Sequence, residues 1–466
     1  MTLGPTLTDA KGLGGIIAAD GFDYQTWNAL VRIPAWLTLP NFDGFIIEGL
    51  EDFEARYFAP LAKGTHLLDR YQAKSAELSP AAIVTLFEGF KEFDDLHPGT
   101  VRSHTLVTPG LPAGMQLLER NQGRVKRART FYRPFAGMLA ASEAQLLEQY
   151  RGKFGDNALH HVGAVDVELS PNHGRDQAEI AFAHALDQAF PTLELAPRVF
   201  KRVFAALLER VNTARGRLIT RPELLALMRE AGVALTEEGA LPVRLRGADD
   251  ADDLRVLDID CSAFSGDGGF PTPDHYAAGL LAPLVKTSAW ARAQHRQRVL
   301  LSGRYRISTA IAAGWAFRSA IGFELDVPTK DGVWSSNAHP AGAGTSLAWQ
   351  VNADATVVDG RLAVGVGILR DVVPAMLKSG HPGMPLRLFL DEAVPDAQRA
   401  QEAVREIKRH VDRAVAALHP AAVDLYFAGP AAVAALLGHR WNGLLPTRLH
   451  ELHTSSGTYV PTAMIE

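Results

Sequence analysis

The chain has 466 residues, 47% of them hydrophobic and 21% charged, with 16 histidines, one cysteine, a formal net charge of −5 and a pI near 6.4. Such a length exceeds one ordinary core and implies two or three globular units, while the lone Cys261 excludes an internal disulfide and no Cys/His set shows zinc-ligand spacing despite the 16 histidines. The acidic balance excludes a global basic field, so nucleic-acid contact must come from local clustering of Lys and Arg.

The opening MTLGPTLTDAKGLGG has neither a basic n-region nor a continuous apolar run, and no segment is long enough to span a bilayer, so a cytoplasmic protein is expected. Residues 24–37 carry apolar side chains at mixed three and four spacings and predict a first helix. Phe45-Ile46-Ile47 opens a strand, Gly49 permits a bend, and Glu51 to Tyr57 return as a second strand, making a hairpin. Residues 66–74 (HLLDRYQAK) read as a third strand. Ile83, Leu86, Phe87, Phe90 and Phe93 then fall at helical spacing, and residues 104–108 make a fourth strand. The predicted order is helix, three strands, helix, strand.

From about 112 to 233 helix signals dominate, with amphipathic runs at 137–152, 176–189 and 198–212. Thr220-Arg-Pro-Glu223 has the capping-box form and starts a helix over 221–231. The acidic stretch RGADDADD (246–253) reads as an exposed connection. We therefore expect a first domain over 1–235, a linker over 236–252 and a second domain over 253–466. Beyond the linker, strands at 298–303, 321–327, 362–369, 386–390 and 423–429 alternate with helices at 308–320, 395–417 and 430–438. That alternation predicts a parallel-sheet α/β domain in two related halves.

Within the third strand Gln72 and Lys74 are two apart and share a face, whereas Tyr71 and Ala73 point the other way. Asp52 on the neighbouring strand can meet Gln72 and the backbone carbonyl of Ala73 around a hard cation, Mg²⁺ or Mn²⁺. Phosphodiester hydrolysis needs such an ion plus a group that positions water or stabilises the transition state, and Lys74 fits the latter. Glu48 shares the parity of Asp52 and is an extra ligand, with Glu51 the alternative if the bend shifts the register. An Asp and a Gln-x-Lys on two strands also arise as a solvated sheet edge, so the element order has to supply the context. That order, with Asp52 and Gln72-Ala73-Lys74, is similar to the restriction-endonuclease-like fold of the PD-(D/E)xK superfamily, in its variant with Gln before x-Lys. Gly14-Gly15, Gly21-Phe22-Asp23-Tyr24-Gln25 and Glu51-Asp52 resemble the nuclease domain attached to effectors of bacterial anti-phage signalling.

A basic run over 119–133 carries Arg120, Arg124, Lys126, Arg127, Arg129 and Arg133 against Glu119 alone, with Phe131 and Tyr132 interleaved. It reads either as a track for a phosphate backbone or as a solvated helix face. In an otherwise acidic chain we favour DNA contact.

Farther on, Ser302-Gly303-Arg304-Tyr305-Arg306-Ile307-Ser308, Gly314 and Gly332-Val333-Trp334 resemble the start of a SAVED domain. Phe427-Ala428-Gly429-Pro430, Leu437-Gly438 and Trp441-Asn442 resemble its end. The resemblance implies two fused CARF-like, Rossmann-like halves that bind a cyclic di- or trinucleotide made by a partner synthase. Ligands of open α/β sheets settle beyond strand carboxyl ends, at helix N-termini. Ser308, Thr309, Gly429 and Pro430 stand at such turns, Arg304 and Arg306 add charge, and Trp334 and Trp349 either stack on a base or belong to the core.

The combined pattern resembles the SAVED nuclease effectors of CBASS, implying self-association on messenger binding and cutting of double-stranded DNA. A catalytically dead DNA-binding scaffold, an RNA-directed nuclease and a constitutive restriction enzyme are the rivals.

Overall fold

The computed structural model describes residues 10–466 apart from 63, 132–135, 172–173, 194, 235–238, 248–252, 254, 265–269, 339–346, 353 and 444. The chain divides into two compact units, Met1–Thr236 and Glu237–Glu466. It is a mixed α/β protein in which the described residues form three sheets.

In the first unit helix α1 (Ala10–Leu37) leads into a meander of β1 (Phe42–Ile47), β2 (Phe53–Phe58) and β3 (His66–Ala73). Helix α2 (Pro80–Leu96) starts with Pro80 at its first position and Ser79 as cap, whose side chain accepts from Ala82 N–H at 3.2 Å. It carries the chain over to β4 (Val101–Thr108). Then come α3 (Ala113–Phe131), α4 (Ala136–Phe154), α5 (Ala158–Ala164), β5 (Val165–Leu169), α6 (Arg175–Ala189), α7 (Pro197–Thr213), β6 (Ile219–Thr220) and α8 (Arg221–Glu230). Glu223 reaches back to Thr220 N–H at 3.4 Å, as the capping box requires.

The strands lie in the order β5-β4-β3-β2-β1-β6. β3 is antiparallel to β2 and parallel to β4, so it joins the hairpin half of the sheet to the crossover half. One face buries Trp36, Phe45, Phe53, Tyr71 and Val107 with residues of α1, α6, α7 and α8. Tyr71 stacks on Phe53 with centroids 4.6 Å apart. The other face buries Leu106 and Val165 against Ile83, Phe87, Phe90, Met115 and Leu146. Strand alternation thus feeds two cores from one sheet.

Several expectations need correction. Helix α1 starts well before residue 24, and β1 begins at Phe42. β5 is a strand inside a stretch where helix signals dominate, and β6 adds a sixth strand. Residues 241–246, expected in the linker, form β7 (Leu241–Arg246) of the second unit, because their alternating side chains bury one face. Most of RGADDADD lies outside the described residues.

The second unit continues with β8 (Leu257–Asp260), α9 (Pro273–Tyr276), α10 (Ala282–Ala293), β9 (Arg298–Gly303), α11 (Ile307–Ala316), β10 (Glu324–Thr329) and β11 (Gly332–Ser335). There follow β12 (Gln350–Val351), β13 (Val357–Val358), β14 (Arg361–Ile368), α12 (Val373–Lys378), β15 (Leu386–Leu390), α13 (Ala397–Leu418), β16 (Ala422–Ala428), α14 (Ala431–Arg440), β17 (Thr447–His453) and β18 (Thr458–Ile465). One sheet has the order β11-β10-β9-β7-β8; the other runs β12-β15-β14-β16-β17-β18 with β13 beside β14. Helix α11 ends at Ala316, short of the expected 320, and the strand expected from 321 begins at Glu324.

The two sheets are tied by α11 and α14, which cross without side chains between them. A Cβ on Gly314 would stand 1.9 Å from Ala435 O, and one on Gly438 would stand 2.0 Å from Ile311 O. The same sequence separation relates Ile311 to Ala435 and Gly314 to Gly438, so the contact is reciprocal and the two strand–helix units β9-α11 and β16-α14 are equivalent halves.

Candidate active site and ligand region

The site on β3 follows from where the meander turns. Glu48 adopts a left-handed backbone (φ 58°), and its N–H donates to Asp52 O at 2.9 Å, closing the turn between β1 and β2. Asp52 therefore lies one residue before β2, in the bend and not on the strand. Its Oδ2 accepts Gln72 Nε2 and Ala73 N–H, each at 2.7 Å, and Lys74 Nζ is 3.9 Å away. Ala73 thus contributes its N–H to the carboxylate, where its carbonyl was expected to face a metal. Beside them Glu51 pairs with Arg70, whose guanidinium lies over the Phe93 ring at 3.5 Å. That pairing occupies Glu51, and Glu48 binds Arg215 at 3.0 Å.

Burial pushes the Asp52 carboxyl above its ordinary range, against the pull of Lys74, the Ala73 N–H and Gln72, and nearby Glu48 adds to the rise. A buried carboxylate held with only partial compensation favours a cation. Asp52 Oδ1 and Gln72 Oε1 take no hydrogen bond among the described residues. Two such oxygens beside an ammonium suit a hard divalent ion, so the residues present fit the group expected from the sequence.

Helix α3 packs Met115, Gln122 and Val125 inward, and Gln122 Nε2 donates to Val165 O at 2.8 Å. Arg120 and Arg124, four apart, remain exposed. The side chains of Lys126, Arg127 and Arg129 lie outside the described residues.

At the carboxyl ends of the second unit's strands the expected ligand residues divide. Gly303 has φ 124°, and a Cβ there would meet Leu245 O at 2.2 Å, so only glycine fits the end of β9. Arg304 is exposed. Arg306 lies over the Phe270 ring at 3.9 Å and approaches Tyr276 Oη at 3.4 Å. Ser308 and Thr309 are buried, and Ser308 N–H donates to Glu451 Oε2 at 2.7 Å, so a carboxylate already occupies the first turn of α11. Pro430 caps α14 in extended conformation, and Gly429 is hemmed by Phe427 and Ile368. Trp334 is buried on β11, whose strand packs against α13, so of its two readings it takes the core one. Trp349 is half-buried.

Sequence reading missed Arg70, Arg215 and Glu451, each joined to its partner across a long stretch of chain. Opposite charge alone signalled the Arg70–Glu51 and Arg215–Glu48 pairs, and charge carries no address; Glu451 meets the Ser308 backbone N–H, which no residue type signals. It also missed Asp94, His104 and His160, whose ligating atoms all lie within 4.8 Å of one another.

No described helix is long and apolar enough to cross a membrane. Residues 282–465 match the SAVED family, described as the SMODS-associated and fused to various effectors sensor domain. Two proteins named CD-NTase-associated protein 4 are similar end to end. One, from an Acinetobacter species, is 23% identical over 463 residues, and one from Moraxella osloensis is 22% identical over 471; each alignment covers 98% of both chains. Among solved structures, the Acinetobacter baumannii Cap4 SAVED/CARF-domain containing receptor with the cyclic trinucleotide 3'3'3'-cAAA superposes with a TM-score of 0.79 at 21% identity, covering 95% of this chain and 98% of that one. The Moraxella osloensis Cap4 receptor gives 0.79 at 20% identity, with 97% and 100% covered.

Proposed function

We propose that this chain, a full-length homologue of the Cap4 proteins with a SAVED domain at its C-terminus, is an anti-phage DNA endonuclease switched on by a cyclic oligonucleotide. The convergence of Asp52, Gln72 and Lys74 on one side of β3 carries the nuclease half of the reading. The homology supports the sensor half, since a relative of the same architecture is a receptor solved with cyclic trinucleotides.

In this reading Asp52 and Gln72 hold Mg²⁺ or Mn²⁺, which when bound offsets phosphate charge and lowers the pKa of water. Glu48, sharing the site's charge from across the turn, is a further ligand if it leaves Arg215. Lys74, about a third exposed, faces solvent with its ammonium free to reach a phosphoryl oxygen or orient the attacking water. Arg120, Arg124, Lys126, Arg127 and Arg129 neutralise the DNA backbone. The messenger binds beyond the strand ends around Arg304, Arg306, Ser308, Thr309, Gly429 and Pro430, with Trp349 as the aromatic neighbour. A messenger drives self-association only if it prefers the associated state, and activity requires that preference. A CD-NTase supplies the messenger, as the relatives' name suggests.

Plasmid cleavage tests the proposal. Wild type should cut duplex DNA only with both Mg²⁺ and a cyclic trinucleotide such as cAAA present. Lys74→Ala should lose at least about 10²-fold in rate while binding the messenger as wild type does. Cutting that persists in Lys74→Ala removes the catalytic assignment, and cutting that ignores the messenger favours a constitutive enzyme.

A further inference from the structure

Away from the β3 site, three ligating side chains meet from three elements of the first unit. Asp94 comes from the end of α2, His104 from β4 and His160 from α5. His104 Nε2 is 2.9 Å from Asp94 Oδ1, and His160 Nε2 is 2.7 Å from Asp94 Oδ2. His104 is fully buried, whereas the His160 and Asp94 side chains are 13% and 24% exposed, so the group is closed on one side and open on the other.

The walls are aromatic. Phe90 stacks on His104 at 4.5 Å and Phe93 meets it edge-on. His161 packs against Phe87 and Phe154, and its Nδ1 stands 3.2 Å from His160 Nδ1. His104 Nε2 and His160 Nε2 each face an Asp94 oxygen at hydrogen-bond distance, so a cation that binds there displaces the protons they share with the carboxylate. The charges that face the group are Arg70, already paired with Glu51, and Lys91, paired with Asp95.

We propose that Asp94, His104 and His160 form a binding site for one zinc-class divalent cation. Two imidazole nitrogens and one carboxylate oxygen are a borderline donor set that suits Zn²⁺ and leaves a fourth position for water on the open side. Tetrahedral ligands at about 2.0–2.2 Å from zinc stand roughly 3.3 Å apart, so the two N···O contacts, which go to different oxygens of Asp94, widen by about half an ångström when one oxygen is shared with the ion. The ion ties α5, a helix of seven residues, to α2 and β4. This site is nitrogen-rich where the β3 site is all oxygen, and it stands whether or not the chain cuts DNA.

The test uses the full chain, stripped with EDTA, dialysed against ZnCl₂ and then against buffer. Metal analysis should find one zinc per wild-type chain, and zinc should raise the Tm. His160→Gln removes the ligand while keeping an amide donor for Asp94. It should fold, retain no zinc and show a Tm indifferent to the ion. Asp52→Asn should still take one equivalent. Equal uptake by wild type and His160→Gln, no uptake by wild type, or loss of uptake in Asp52→Asn would each overturn the proposal. In the first two cases the triad is a hydrogen-bonded carboxylate–imidazole network only.

Discussion

Replacing Gly314 with alanine tests how the two halves of the second unit are joined. The new Cβ would stand 1.9 Å from Ala435 O and 2.8 Å from His439 N, both helix backbone that cannot swing aside. Regaining even the 3.0 Å below which real Cβ contacts essentially never occur requires α11 and α14 to part by about 1 Å. Alanine's better helix propensity offsets roughly 1 kcal/mol. Against it, overpacking costs about 1–3 kcal/mol, and a 0.5–1 Å gap forfeits about a quarter to a half of each dispersion contact along the crossing. We expect a net loss of about 1–3 kcal/mol, read as a lowered denaturation midpoint with unchanged m and faster hydrogen exchange over 307–316 and 431–440. Gly438→Ala, its reciprocal, should lose a similar amount. The double variant should lose less than the sum, because helices already parted meet the second methyl at smaller penalty. If Gly314→Ala is as stable as wild type, the close crossing does not join the halves and the argument fails.

Asp52→Asn should abolish cutting yet raise Tm at pH 8. The wild-type carboxyl is raised in the fold, so its contribution to stability is present when it is protonated and is lost as pH rises through the folded pKa. The gain should vanish near pH 4, and a lower Tm for the variant at pH 8 refutes the reasoning. Asp424 behaves oppositely: burial opposes its ionisation, but bonds from His450 and Arg361 outweigh that and hold it well below the usual range. Its contribution is present above the ordinary carboxylate pKa and lost as pH falls, so Arg361→Met should flatten the acid side of the second unit's stability profile. Glu451→Gln empties the negative charge from the first turn of α11. Calorimetry should show tighter messenger binding, on the order of threefold to tenfold, if a phosphate takes that place; unchanged affinity moves the phosphate elsewhere.

What the sequence disclosed and concealed has a physical pattern. The alternation at Tyr71, Gln72, Ala73 and Lys74 is a property of one strand, so which of these side chains enter the core was readable. The capping box at Thr220 is equally local. β5 hid because five residues following HHVGA carry too few turns of pattern to separate strand from helix. β7 hid because a half-buried strand beside an acidic run looks like connection. The fate of Trp334 depended on α13, whose residues begin more than sixty positions later. Glu451 lies 143 residues from the helix it caps. Distance along the chain, more than residue type, set the limit.

The constellation on β3 spans only positions 52–74, within a meander of neighbouring strands. Contacts this local close early in folding, and they emerge from the ribosome long before residues 237–466 are made. The first unit, whose core closes with α8, is therefore made before the sensor that would restrain it. Under the proposed function, the safeguard during synthesis cannot be the distortion of those three side chains by the second unit. On that function the remaining safeguard is solitude, provided that cutting takes two chains side by side.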